Sequence, residues 1–154
     1  MNPIIEVLQT KDFKKLWFIG TTGMSMRWIE QIALGFYVYK ITQDEFLVGL
    51  VFFFRNIPML IFGAFIGVLS DEFNKKNILK ATLIMTTIVY FCLTISSLLG
   101  QLNYFQICFG AFAAGLAWSF DFPIRRSLLI EIVDRRLYPS AIGVDMTSSN
   151  IARV

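Results

Sequence analysis

The sequence predicts an all-α membrane protein, a helical transmembrane bundle, and three observations predict it. The first is composition: of 154 residues 56% are hydrophobic, 16 are Phe and none is His, and the mean hydropathy is +0.63. A soluble domain of this size has too few polar side chains here to cover itself. The second is spacing. Apolar runs of roughly 20 residues, each long enough at 1.5 Å per residue to cross a hydrocarbon core of about 30 Å, alternate with short charged turns. The third is charge: the basic residues collect in alternate turns, which is how a multi-pass chain fixes its orientation.

The same composition excludes other classes. A pI near 9.0 and a net charge of +3 suggest nucleic acid, but the basic residues fall in short clusters between apolar segments, with no stripe of interleaved aromatics. No nucleic-acid partner is expected. Cys92 and Cys108 each lie inside an apolar run without metal-ligand or disulfide spacing, so they read as small buried hydrophobes. No metal site and no cofactor is expected.

Residues 1–15 mix Glu6 and Asp12 with Lys11, Lys14 and Lys15 and form a cytoplasmic lead-in without the features of a signal peptide. The first span, 16–39, is interrupted near its middle by Arg27, Glu30 and Gln31. Steps of three and four put Gly20, Gly23, Arg27, Glu30, Gln31 and Leu34 on one face, which cannot look at lipid. The second span, 46–70, carries Arg55, Asn56 and Pro58; Arg55, Met59, Gly63 and Gly67 fall at steps of four, a face on which a charge meets two glycines. Pro58 frees the carbonyl of Phe54 and loosens the helix there. The third span, 78–99, has no charge beyond Lys80 at its start.

The fourth span, 104–122, is small-sided through Gly110, Ala111, Ala113, Ala114, Gly115 and Ala117, a composition suited to close helix packing. Asp121, Arg125 and Arg126 at its end form an end-of-helix network, with Pro123 between them. Residues 123–145 are expected to be an amphipathic, partly helical connector at the interface, and 146–154 the start of a fifth span, too short to cross a bilayer.

With the amino terminus in the cytoplasm, the inside segments hold Lys11, Lys14, Lys15, Lys75, Lys76, Lys80, Arg125, Arg126, Arg135 and Arg136, and the outside turns only Lys40. That bias places the amino terminus, the 67–79 turn and the 121–140 connector in the cytoplasm.

The turn Gly67-Val-Leu-Ser-Asp71-Glu-Phe-Asn-Lys75-Lys76-Asn-Ile-Leu79 resembles the loop between helices 2 and 3 of the major facilitator superfamily, whose pattern is Gly-x-Leu-Ala-Asp-Arg-x-Gly-Arg-Lys. Gly67, Leu69, Asp71, Lys75, Lys76 and Leu79 match, whereas Glu72 stands where Arg is usual and Asn74 where Gly is usual. Asn tolerates a left-handed turn and is expected to keep the backbone path, while Glu72 reverses a charge of the family's network. The stretches Gln31 to Thr42 and Phe120 to Val133, with the closing Asn150-Ile-Ala-Arg153, look like the branch that includes the enterobactin exporter and macrolide-efflux proteins. The resemblance implies the first four spans and the start of a fifth of a twelve-helix fold, in which two halves rock around a site near the bilayer midplane. It also implies a gating loop made by Gly67, Leu69, Asp71, Asn74, Lys75 and Lys76. There Asp71 would cap or pair with a helix of the other half, in the missing carboxy-terminal part of the same chain.

Each candidate residue has a plainer reading beside the functional one. Arg27 or Glu30 alone would cost about 2.5–3.5 kcal/mol at a helix centre. Either they line the transport pathway with Gln31, Glu30 taking a proton or cation, or they pair structurally between helices. Arg55 and Asn56 sit at a cavity or at a helix interface. Asp71 gates or is a turn acid, and Lys75 and Lys76 set topology before they gate. Asp121, Arg125 and Arg126 are structural. The expected function is secondary active transport: proton-coupled export of a small amphipathic or siderophore-like molecule by a multi-pass protein of the plasma membrane, the bacterial inner membrane. Its partners are the lipid bilayer, the small-molecule substrate and a proton or other coupling ion. A four-span multidrug exporter using Glu30 competes with it. So does an intramembrane enzyme or assembly subunit, although no His, no ligand-like Cys pair and no Gly-x-Ser-x-Gly motif leave catalysis little to work with.

Overall fold

In a computed structural model the described residues are 3–72 and 74–153, with the side chains of 64, 67–72 and 130 outside the description. Among the described residues six α-helices follow one another: α1 Pro3–Gln9, α2 Lys11–Thr42, α3 Glu45–Glu72, α4 Lys75–Leu98, α5 Tyr104–Ile132 and α6 Tyr138–Ile151, with a 3₁₀ turn at Arg135–Leu137 between the last two. The described residues contain no strand. α3, α4 and α5 contain stretches long and apolar enough to cross a membrane, at Glu45–Gly63, Lys75–Leu98 and Tyr104–Leu129. α2 has ample length but is not among these three, because Arg27, Glu30 and Gln31 interrupt its middle.

The turns follow from their residue types. Gln43 adopts the left-handed region at φ 53°, its N–H closing α2 on the Tyr39 carbonyl at 2.8 Å, and Asp44 Oδ1 then accepts the Phe46 N–H at 2.8 Å to cap α3. Gly100, at φ 68°, ends α4. Asn103 and Gln106 exchange bonds at the start of α5: Asn103 Oδ1 accepts the Gln106 N–H at 2.9 Å, and Gln106 Oε1 accepts the Asn103 N–H at 3.0 Å. This reciprocal cap satisfies two donors that the helix cannot.

The contacts divide the chain into two compact units, Met1–Phe36 with Arg125–Val154, and Tyr37–Ile124. The first is built on an apolar core of Val7, Phe13, Leu129, Val133, Leu137 and Ala141, edged by an ion pair of Arg136 with Glu6. The amino-terminal lead-in is therefore two packed helical segments. In the second unit the small side of α5 is buried, Gly110, Ala111, Ala113, Ala114, Gly115 and Ala117 all included. A Cβ on Gly115 would fall against the carbonyl of Arg55, 2.8 Å from its carbon, so α3 and α5 touch backbone to backbone there.

Four expectations change. The helix does not end at 122: α5 runs through Pro123 to Ile132, since proline removes one N–H and the rest of the ladder continues. Correspondingly α6 begins at Tyr138, with Pro139 in its first turn, well before residue 146. The buried residues of α3 include Val51, Arg55, Pro58 and Ile66, while Met59 is exposed and, beyond its own helix backbone, no described residue comes within 4 Å of where a Cβ on Gly63 would stand. The glycine that permits close approach is on α5. Finally, Cys108 is buried but Cys92 is exposed on α4.

Candidate functional site

Arg27, Glu30 and Gln31 are half-buried on α2, as is Leu34 on the same face, while Met26, Ile29, Ile32 and Phe36 are exposed. Neither Arg27 nor Glu30 is without an interaction. The two glycines placed beside them part company. Gly20 is buried, and the Arg125 guanidinium lies where its Cβ would be, with Cζ 3.1 Å and Cδ 3.4 Å from that point; Gly23 has open space. Gly20 is thus a seat for an arginine, which its position in an apolar helix did not suggest.

Arg55 is 3% exposed, the most deeply buried of the arginines, and takes part in further interactions. Its neighbour Asn56 is exposed and donates from Nδ2 to its own helix, at the Phe52 carbonyl, 2.7 Å. Of the two candidates in α3, only Arg55 is buried.

In the 67–79 turn, the side chains of Gly67, Leu69 and Asp71 lie outside the described residues. Asn74 is described, and it corrects the expected left-handed turn: its φ is −65° and ψ 109°, an extended N-cap. Its Oδ1 accepts the Lys76 N–H at 3.1 Å and its carbonyl accepts the Asn77 N–H at 2.9 Å. Asn serves here as a helix cap, for which it ranks among the best residues. Lys75 is half-buried and engaged, and Lys76 exposed. Further on, Asp121 and Arg126 are half-buried and Arg125 is 6% exposed; each of the three has an interaction. Arg126 Nη2 also approaches the Met146 sulfur at 3.9 Å.

Trp17 and Trp28 face α6 and the residues just after it. Trp17 Nε1 donates to Ser148 Oγ at 2.9 Å, and the Arg153 guanidinium sits 5.1 Å from the Trp28 ring centre, a cation–π contact. One residue missed by sequence reasoning is Asp145, half-buried in α6. Pro139, three residues after Arg136, was its signal, because proline favours the first turn of a helix and so puts Asp145 two turns inside one.

A bundle of long apolar helices whose polar side chains cluster mid-helix and at one set of turns is what a transporter scaffold requires, and the sequence comparison decides which. The profile of the transmembrane secretion effectors, a family of the major facilitator superfamily, matches residues 5–154. The chain belongs to that family. As a transmembrane secretion effector of the major facilitator type, it is a helical, multi-pass protein of the lipid bilayer, and its family is one of transporters, not enzymes. It is 25% identical over 129 residues to a protein of Staphylococcus aureus named a staphyloferrin A transporter, a match covering 82% of this chain and 32% of the relative. The chain spans about a third of that relative's length. No solved structure matches the chain.

Proposed function

We propose that the chain is the amino-terminal part of a secondary active transporter that exports a small amphipathic or siderophore-like compound, driven by a proton gradient. Family membership over residues 5–154 carries this reading. The Staphylococcus aureus relative adds support, being named for the transport of staphyloferrin A, and the resemblance to the enterobactin-exporter branch suggests the class of cargo.

In this reading α2 crosses the membrane with Arg27, Glu30 and Gln31 turned to a polar pathway, because lipid would leave both charges uncompensated. Glu30 accepts a proton or cation, and Arg55 faces a cavity or a helix interface. Asp71 and the Asn74-capped start of α4 latch the cytoplasmic side, with Lys75 and Lys76 held at the headgroups. The amino terminus is cytoplasmic, in a bacterial inner membrane, as the positive-charge bias favours.

The test is flux in proteoliposomes holding the full-length protein. Glu30→Gln should abolish pH-driven transport of a compound the wild type moves while leaving insertion intact; unchanged flux would remove Glu30 from the mechanism. Asp71→Asn should impair transport with topology unaltered.

A further inference from the structure

We propose that Arg153, held over Trp28, is an anion seat in the transport path and receives a carboxylate of the exported molecule. The inference rests on the transport reading above and names the chemical class of the cargo, a small organic acid. The two residues meet at depth. α6 opens directly after the exposed Arg135 and Arg136, a pair suited to a headgroup layer, and its 14 residues rise about 21 Å. Arg153 follows at their far end. On α2, Trp28 lies 13 residues beyond Lys15, about 20 Å by the same rise. Both counts end about halfway across a bilayer of about 40–45 Å, headgroups included.

What meets there is a set of donors without an acceptor. The Arg153 guanidinium sits 5.1 Å from the Trp28 ring centre. Among the described residues it donates no hydrogen bond and joins no ion pair. A ring contact engages the charge and leaves the N–H groups of the guanidinium unbonded. Trp28 adds another donor. Its indole N–H has no acceptor among the described residues, whereas Trp17, 11 residues earlier and on the same face of α2, donates to Ser148 Oγ at 2.9 Å. A carboxylate completes such a set best, because its ionised oxygens take a guanidinium fork two at a time and bind more strongly than neutral acceptors.

Charge points the same way. Over residues 16–36 and 146–153 the charged side chains are Arg27, Glu30 and Arg153. Arg27 and Glu30 each have an interaction. Asp145, the acid of α6, stands eight residues before Arg153 and forms no ion pair with it. These segments carry one cation in excess, and an ionised group at this depth is expensive to leave uncompensated. An anionic cargo supplies the balance; a cationic one would add to the excess.

The test uses the full-length protein in lipid nanodiscs and equilibrium dialysis of two probe pairs that differ at the carboxyl group: 2,3-dihydroxybenzoate against 2,3-dihydroxybenzamide, and citrate against its triamide. Wild type should bind at least one acid about tenfold or more tighter than its amide. Arg153→Gln should abolish that preference and Arg153→Lys, which keeps the charge without the fork, should retain part of it. Trp28→Phe keeps a ring face and loses the N–H, and should weaken the preference about threefold. No preference for either acid in wild type overturns the proposal. So does a preference unchanged in Arg153→Gln, and so does equal loss of acid and amide binding, which marks a structural role. Flux in proteoliposomes separates the proposal from the reading it rests on. If a pH gradient drives ethidium through the wild type while neither acid is preferred, the anion seat fails and transport stands. If acid binding depends on Arg153 while no gradient moves either acid or ethidium, the transport reading fails and the anion seat stands.

Discussion

α4 and α5 are adjacent membrane-length helices with opposite fates. α4 is the more apolar of the two, yet 6% of its membrane-length stretch is buried, against 50% for α5. α4 turns Leu83, Ile84, Ile88 and Phe91 outward, whereas α5 buries Ala111, Ala113, Ala114 and Ala117. In water the greasier helix would be the buried one. In a bilayer, lipid tails solvate a leucine as well as a protein does, so side-chain size and backbone approach choose the neighbours. Gly115 against the Arg55 carbonyl is the point where that choice is most stringent.

Substitutions on the two helices can break or sharpen this contrast. Gly115→Val drives a branched side chain into backbone that cannot yield and should destabilise the full-length protein by about 3 kcal/mol or more, read as a lower melting temperature in detergent; an unchanged melt would mean that α3 and α5 do not touch. Tyr104→Phe removes the hydroxyl that donates to the Leu47 carbonyl at 2.9 Å and should cost about 1 kcal/mol in the same assay. Gly110→Ala meets only the end of the Leu93 side chain, which can rotate away, so a loss below about 1 kcal/mol is expected. Phe91→Leu, on an outward position of α4, should shift stability by less than about 0.5 kcal/mol. A Phe91 effect as large as that at Gly115 would erase the distinction between the helices.

Much of this was legible in the residues. Of the four spans expected from the residues, those at 46–70, 78–99 and 104–122 fall on α3, α4 and α5, which hold stretches long and apolar enough to cross a membrane, and the glycines and alanines of α5 announced its packing. What stayed hidden was non-local. Steps of four along α3 pointed to Met59 and Gly63, but burial follows Arg55 and Pro58 because the partner surface is on α5, some 60 residues away in sequence. Charge density from Arg125 to Arg136 read as an interfacial connector, and so concealed both the continuation of α5 past Pro123 and the start of α6. At Asn74 the residue type foretold a turn but not its φ, since Asn suits a left-handed residue and an N-cap alike.

Everything proposed above depends on which side of the bilayer the α3–α4 turn reaches. In full-length protein with Cys92 and Cys108 replaced by Ser, single cysteines at Gln43 and Asn74 can be reacted with a membrane-impermeant maleimide in intact cells. Gln43→Cys should label at once and Asn74→Cys only after permeabilisation. Labelling of Asn74→Cys in intact cells would place the Asp71–Lys76 turn outside and contradict the account.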